Sequence, residues 1–214
     1  MSAPQGAAPA QRLSLPLVMA FACTSLPLSA LGLAVSVHLP NYFAANIGVP
    51  LTVVAAAFAT TRLIDIPVDP ALGMLQDRTR TPWGRYRIWT LIGAPILCLA
   101  LYALFMSPAG ATTTYLIAWL LVMYLGSSIL TLSHVAWATT LATNYHERSR
   151  IFAVMTAVGI VGAAMVLIIP VVMERIGYSN AEGVRAMGWF AIVLTPIACL
   201  IVAVATPERI APEA

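Results

Sequence analysis

Between positions 62 and 70 the chain reads Arg62-Leu63-Ile64-Asp65-Ile66-Pro67-Val68-Asp69-Pro70, an arginine and two carboxylates inside an otherwise apolar run. At 100° per residue, Arg62, Asp65, Asp69 and Gly73 project within a sector of about 80°, on one helix face. Asp65 and Asp69 stand at i,i+4, a like-charge spacing that destabilises a helix unless a cation, a proton or Arg62 compensates. One arginine leaves the second carboxylate uncompensated. Pro67 and Pro70 have no N–H, so the carbonyls of Leu63 and Ile66 lose their usual partners. Two carboxylates beside freed carbonyls make a hard-oxygen site for a monovalent cation or a proton. The competing reading is that Arg62 neutralises one aspartate and the cluster only pins helices together.

The elements that hold these groups are membrane spans by composition. Hydrophobic residues make up 60% of the 214 and charged ones only 9%, with a mean hydropathy of +0.89. A charge at the centre of a bilayer costs roughly 2.5–3.5 kcal/mol, so the charged stretch demands a purpose. Six apolar runs are long enough to cross, at 13–43, 51–75, 88–106, 112–141, 151–173 and 183–205. The expected fold is therefore an all-α integral membrane bundle over 13–205. Residues 1–12 read as a disordered cytoplasmic lead, and 206–214 as a cytoplasmic tail resembling the start of a linker. All 11 basic side chains are arginines. Arg12, Arg78, Arg80, Arg85, Arg87, Arg148 and Arg150 fall on one side of the spans, which places both termini in the cytoplasm and the protein in the inner membrane. The same distribution is topogenic and gives no case for nucleic acid. Cys23, Cys98 and Cys199 sit in separate apolar runs without metal-ligand spacing and read as packing thiols. No cofactor is expected.

Polar stripes on other spans fit a cavity. Tyr124, Ser127 or Ser128, Thr131 and His134 recur at i+3/i+4 along span four, and Ser25, Ser29 and Ser36 along span one. His134 divides evenly between helix packing and proton carriage. Trp137 offers a sugar a flat apolar face, with aromatic packing as its plainer explanation. Acidic-arginine pairs at Asp77-Arg78 and Asn144-Tyr145-His146-Glu147-Arg148 hint that the six spans are two repeats of three.

The loop motif Gly73-Met74-Leu75-Gln76-Asp77-Arg78 followed by Trp83-Gly84-Arg85-Tyr86-Arg87 resembles the conserved loop of the major facilitator superfamily. With Arg62 to Asp69-Pro70, Ala136-Trp137 and Asn144 to Arg150, the chain is similar to the glycoside-pentoside-hexuronide:cation symporter family. The resemblance implies one half of a major facilitator fold and cation-coupled symport of a sugar, glycoside or sugar acid by alternating access. It makes Asp65 and Asp69 the coupling-cation ligands, with Ser128 in the place of a fourth-helix hydroxyl ligand and Arg62 beside the site. It makes Gly73, Asp77, Arg78, Gly84, Arg85, Glu147 and Arg148 a cytoplasmic latch. Val68 replaces an asparagine ligand found in a sodium-using member, which favours H+ over Na+ as the coupling ion. The family's sugar-binding carboxylates appear here as Ser29 and Thr131, and its fifth-helix arginine as Thr156, so a substrate cavity of Ser25, Ser29, Tyr124, Thr131, His134 and Trp137 does not inherit the family's sugar contacts. Family members have two six-helix bundles. The second would come from the rest of a longer product, a separate chain or a second copy in a homodimer. A non-transporting scaffold subunit and a drug or lipid exporter are the alternatives; a membrane hydrolase leaves the loop motif unexplained, so no enzyme is expected.

Overall fold

The structure is a computed structural model that describes residues 12–108, 110–142 and 144–208. Six helices are long and apolar enough to cross a membrane: α1 Leu15–Ile47, α2 Leu51–Arg78, α3 Tyr86–Phe105, α4 Thr113–Leu141, α5 Tyr145–Arg175 and α6 Asn180–Ala205. No strand occurs among the described residues. The expected lead at 1–12 and tail at 206–214 fall mostly outside the described residues.

Capping explains where the helix ends depart from the apolar runs. α5 begins six residues before its run, because the Asn144 side chain accepts from Glu147 N at 2.9 Å and starts the helix through the polar segment Tyr145 to Arg150. α6 begins on a capping box in which Ser179 and Glu182 exchange hydrogen bonds. α1 is irregular. Its α-helical pieces Leu15–Ala22, Ser25–Leu33 and Leu39–Tyr42 alternate with π-helical turns at Ala34–His38 and Phe43–Ile47, and Gly48 ends it in the left-handed region at φ 86°. α2 stays helical through Pro67 and Pro70.

The packing has an internal two-fold pattern. The principal contacts are α1 with α5, α2 with α4, α3 with α4, and α3 and α5 with α6, with α1 also touching α6. Exchanging α1 with α4, α2 with α5 and α3 with α6 maps α1–α5 onto α2–α4, α3–α4 onto α1–α6 and α3–α6 onto itself, as expected of two three-helix repeats; the α5–α6 contact has no comparable counterpart between α2 and α3. Small residues permit the closest crossings. A Cβ on Gly126 of α4 would lie 2.8 Å from the Leu97 backbone nitrogen of α3, and one on Gly162 of α5 would lie 2.8 Å from the Leu26 carbonyl carbon of α1. One apolar cluster, including Tyr42, Phe43, Phe105, Leu116 and Leu120, fills the end where α1 finishes. A second, including Phe21, Tyr86, Trp137, Leu141 and Val202, fills the opposite end. The start of α1, the end of α6 and the loops after α2 and α4 share that second end, since Leu13 N donates to Glu147 of α5 and Glu208 accepts from the start of α3. The two cavities described next lie along α1 and α4.

Candidate functional site

α2 packs on α4 through the face that carries Asp65, which is 6% exposed. Its carboxylate is held from both sides. Arg62 Nη1 donates to Oδ2 at 3.0 Å, and Ser128 Oγ donates to Oδ1 at 3.4 Å. The Arg62 side chain is 66% exposed and its guanidinium carbon stands 5.2 Å from the centre of the Tyr124 ring, a cation–π distance. Arg62 is thus anchored at one nitrogen and over one aromatic face, with its remaining donors open.

Asp69, one turn along, has a different environment. It borders a cavity of about 460 Å³ whose wall also includes Arg62, Tyr124, Ser127, Ser128 and Thr131, with Ser36 and Gly32 contributed by α1. Its Oδ1 is buried without a hydrogen-bond partner. A buried acceptor in that condition carries its desolvation penalty until a proton, a cation or a water meets it. The structure therefore separates two carboxylates that the sequence makes look alike: Asp65 is paired, and Asp69, on the cavity wall, keeps one buried oxygen unpartnered. The freed proline carbonyls do not join them. Leu63, Ile66, Pro67 and Pro70 are all exposed on the outer side of α2, with Leu63 about 160° round the helix from Asp65.

A second cavity, about 620 Å³, adjoins the first along Leu28, Gly32 and Thr131 and runs between α1, α4 and α5. Ser25, Ser29, Thr131, His134 and Thr156 supply its polar groups. Trp137 corrects the expected cavity. It is 1% exposed, borders neither cavity, and packs edge-on to Phe21 with ring centres 5.8 Å apart. Lying one turn nearer the chain-end face than His134, it belongs to the core.

The expected latch residues gather at that face with other partners than the sequence pairs them with. Asp77 accepts from the Tyr86 hydroxyl at 2.9 Å. Glu147 pairs with Arg150 at 3.6 Å and accepts from Leu13 N, while Arg148 is exposed. Gly73 has open space around it, and Gly84 turns at φ 112°. Arg85 contributes its backbone: Glu208 accepts from Arg85 N at 2.6 Å, Tyr86 N at 2.8 Å and Arg87 N at 3.2 Å. Sequence reasoning missed Glu208. The available signal was a carboxylate three residues past the last span together with a helix, α3, whose own N-cap position provides no side-chain bond.

Comparisons with known proteins accord with this geometry. The chain is similar to a lactose permease of Lactobacillus helveticus, 28% identical over 165 residues, which is 69% of this chain and 26% of that protein. It is similar to an isoprimeverose transporter of Lactiplantibacillus pentosus, 25% identical over 176 residues, 78% of this chain and 36% of that one. A shorter match, 35% identical over 72 residues, covers 32% of this chain and 16% of the inner membrane symporter YicJ of Escherichia coli (strain K12). In each case the chain spans less than two fifths of the relative's length. The family described as MFS/sugar transport protein matches residues 20–214. With six spans folded as half of a major facilitator bundle pair, the chain belongs to the MFS/sugar transport protein family, a family of membrane transporters and not of enzymes.

Proposed function

We propose that the chain is one bundle of a cation-coupled sugar symporter of the inner membrane, working by alternating access with both termini cytoplasmic. The observation that carries this reading is the unequal aspartate pair. Asp65 already has a cation, Arg62, and a hydroxyl, Ser128. Asp69 lies on the wall of the cavity that Arg62 and Ser128 also border, with one buried oxygen unpartnered. A proton, or less favourably Na+, taken up at Asp69 removes the excess negative charge of that wall and favours the loaded state; releasing it restores the charge and disfavours that state. Asp65 and Ser128 complete the site as the neighbouring oxygens.

Three features support the remaining parts. The similar permease and transporter named above act on lactose and isoprimeverose by their names, which favours a sugar here. The exposed arginines Arg78, Arg80 and Arg148 lie at the end shared by the two chain ends, which favours a cytoplasmic position for that end. Arg62 is 66% exposed and Asp69 half-buried in this bundle, and a second six-helix bundle closing over them would keep lipid away.

The test is uphill uptake into inverted and right-side-out vesicles from cells that make the native protein. Asp69→Asn should abolish accumulation driven by a proton gradient while leaving sugar exchange at equal concentrations in place. Asp65→Asn should impair both, because Arg62 then loses its carboxylate. Undiminished uphill uptake by the Asp69→Asn protein overturns the coupling assignment.

A further inference from the structure

The second cavity differs from the first in the charges it lacks. Among the described residues, those lining it include no aspartate, glutamate, lysine or arginine, only hydroxyls, one histidine and apolar side chains such as Leu28, Val135, Phe152 and Met155. Arg62 borders the first cavity and not the second. A carboxylate placed in the second cavity would be desolvated with no cation on this bundle's lining to meet it, a far larger penalty than any single hydroxyl contact offsets.

His134 is the built feature of that wall. It is 3% exposed, and its ring stacks on Phe21 with centres 4.4 Å apart and planes 16° from parallel. Ser25 Oγ lies 3.3 Å from Nε2. Stacking fixes the plane of the ring and Ser25 fixes its rotation within that plane, so the imidazole is held rigidly where it borders the cavity. With Nε2 engaged by Ser25, the other nitrogen of an uncharged imidazole is left to meet one sugar hydroxyl, which can donate or accept. Thr156 is less available, since its hydroxyl donates to the Phe152 carbonyl of its own helix at 2.9 Å.

We infer that His134, held in place by Ser25, is a specificity-determining residue of the sugar site, and that this site takes a neutral sugar or glycoside and rejects a sugar acid. The inference rests on the sugar-symport reading and goes further by naming the charge class of the substrate and the side chain that selects it. Ser25 is the positioning residue. Thr131 and Ser29 provide the remaining hydroxyls at the junction with the first cavity.

The experiment measures binding of two probes with the same aglycone, nitrophenyl galactoside and nitrophenyl galacturonide, to the full chain in lipid nanodiscs. The galactoside should bind, and the galacturonide about a hundredfold more weakly, as expected when a site leaves a buried charge unpaired. His134→Ala should weaken galactoside binding about tenfold or more, the usual result of leaving a substrate hydroxyl without its partner. His134→Gln, which keeps a donor and an acceptor, should recover part of that loss and guards against a folding defect. Ser25→Ala should reduce affinity in the parent and add nothing further in the His134→Ala background, a non-additivity that a purely structural serine would not show. Galacturonide binding as tight as galactoside binding overturns the inference and leaves sugar symport standing. Galactoside affinity unchanged by both His134 substitutions also overturns it. Binding of neither probe overturns the inference, which requires this bundle's own cavity to hold a sugar; the uptake assay above tests the sugar reading separately.

Discussion

Replacing Glu208 by alanine removes one carboxylate that accepts three backbone N–H groups at the start of α3, at 2.6, 2.8 and 3.2 Å. Hydrogen bonds to charged groups contribute about 1.5–3 kcal/mol each, but three on one carboxylate at the helix start do not add. The freed amides of a first helical turn recover water, and loss of an N-cap side chain typically costs about 1 kcal/mol and up to about 2. The favourable placement of a negative charge against the helix dipole adds about 0.3–1 kcal/mol. The expected loss is therefore about 2–3 kcal/mol, and at about 2–4 °C per kcal/mol for a chain of this size the melting temperature should fall by roughly 4–12 °C. The assay is thermal unfolding of the purified protein in detergent, followed by tryptophan fluorescence. Glu208→Gln keeps one acceptor oxygen without the charge and should fall between alanine and the parent. An alanine variant that melts with the parent would refute the account, because it would mean that the Glu208 carboxylate does not hold the start of α3.

Three further substitutions test separate links. Gly126→Val places a side chain where even a Cβ lies 2.8 Å from the Leu97 backbone; overpacking of this kind costs about 1–3 kcal/mol, read as a lower melting temperature. Arg62→Gln leaves the buried Asp65 without its cation, and because Arg62 is 66% exposed the penalty should fall below the roughly 3–5 kcal/mol of a fully buried broken pair. The double variant Arg62→Gln/Asp65→Asn should be more stable than Arg62→Gln alone, measured by denaturation in a double-mutant cycle. Asn144→Ala removes the cap of α5 and should cost about 1 kcal/mol without changing sugar binding, checked by melting and by the galactoside titration.

The spans were legible because bilayer composition is a coarse signal that short interruptions do not erase. Their ends were less so, since hydropathy is blind to a cap: the polar segment Tyr145 to Arg150 is helical only because Asn144 bonds Glu147 N. The irregularity of α1 was illegible for another reason. Nothing in Ala34 to His38 distinguishes a π turn from an α turn until the neighbouring helices fix the spacing of side chains. At the site, helical projection correctly put Arg62, Asp65 and Asp69 together, yet a sector 80° wide still contains an inner and an outer edge. Packing against α4 decided that Asp65 faces Ser128 and that Asp69 borders the cavity. The contacts of Glu147 were illegible because sequence adjacency is a poor guide on a helix. Glu147 meets Arg150 at i+3, the spacing that shares a face, and not Arg148 beside it.

The two cavities give a physical reason for dividing labour between charge and hydroxyls. Had the coupling oxygen and the sugar contacts lined one wall, every proton or ion movement at Asp69 would alter the field acting directly on the sugar. Here Asp69 borders the first cavity, His134 the second, and Thr131 with Leu28 and Gly32 borders both. A neutral substrate in the second cavity is then coupled to the first by shared walls and by helix movement, not by direct charge pairing. α1 supplies the side common to both, and it is the span broken by π-helical turns at Ala34–His38 and Phe43–Ile47. Such turns leave a helix with poorer hydrogen-bond geometry and lower the cost of bending it. Under the proposed mechanism, α1 is thus the element able to change its course beside both sites while α4, unbroken and packed on α2 and α3, keeps Ser128, Thr131 and His134 in register.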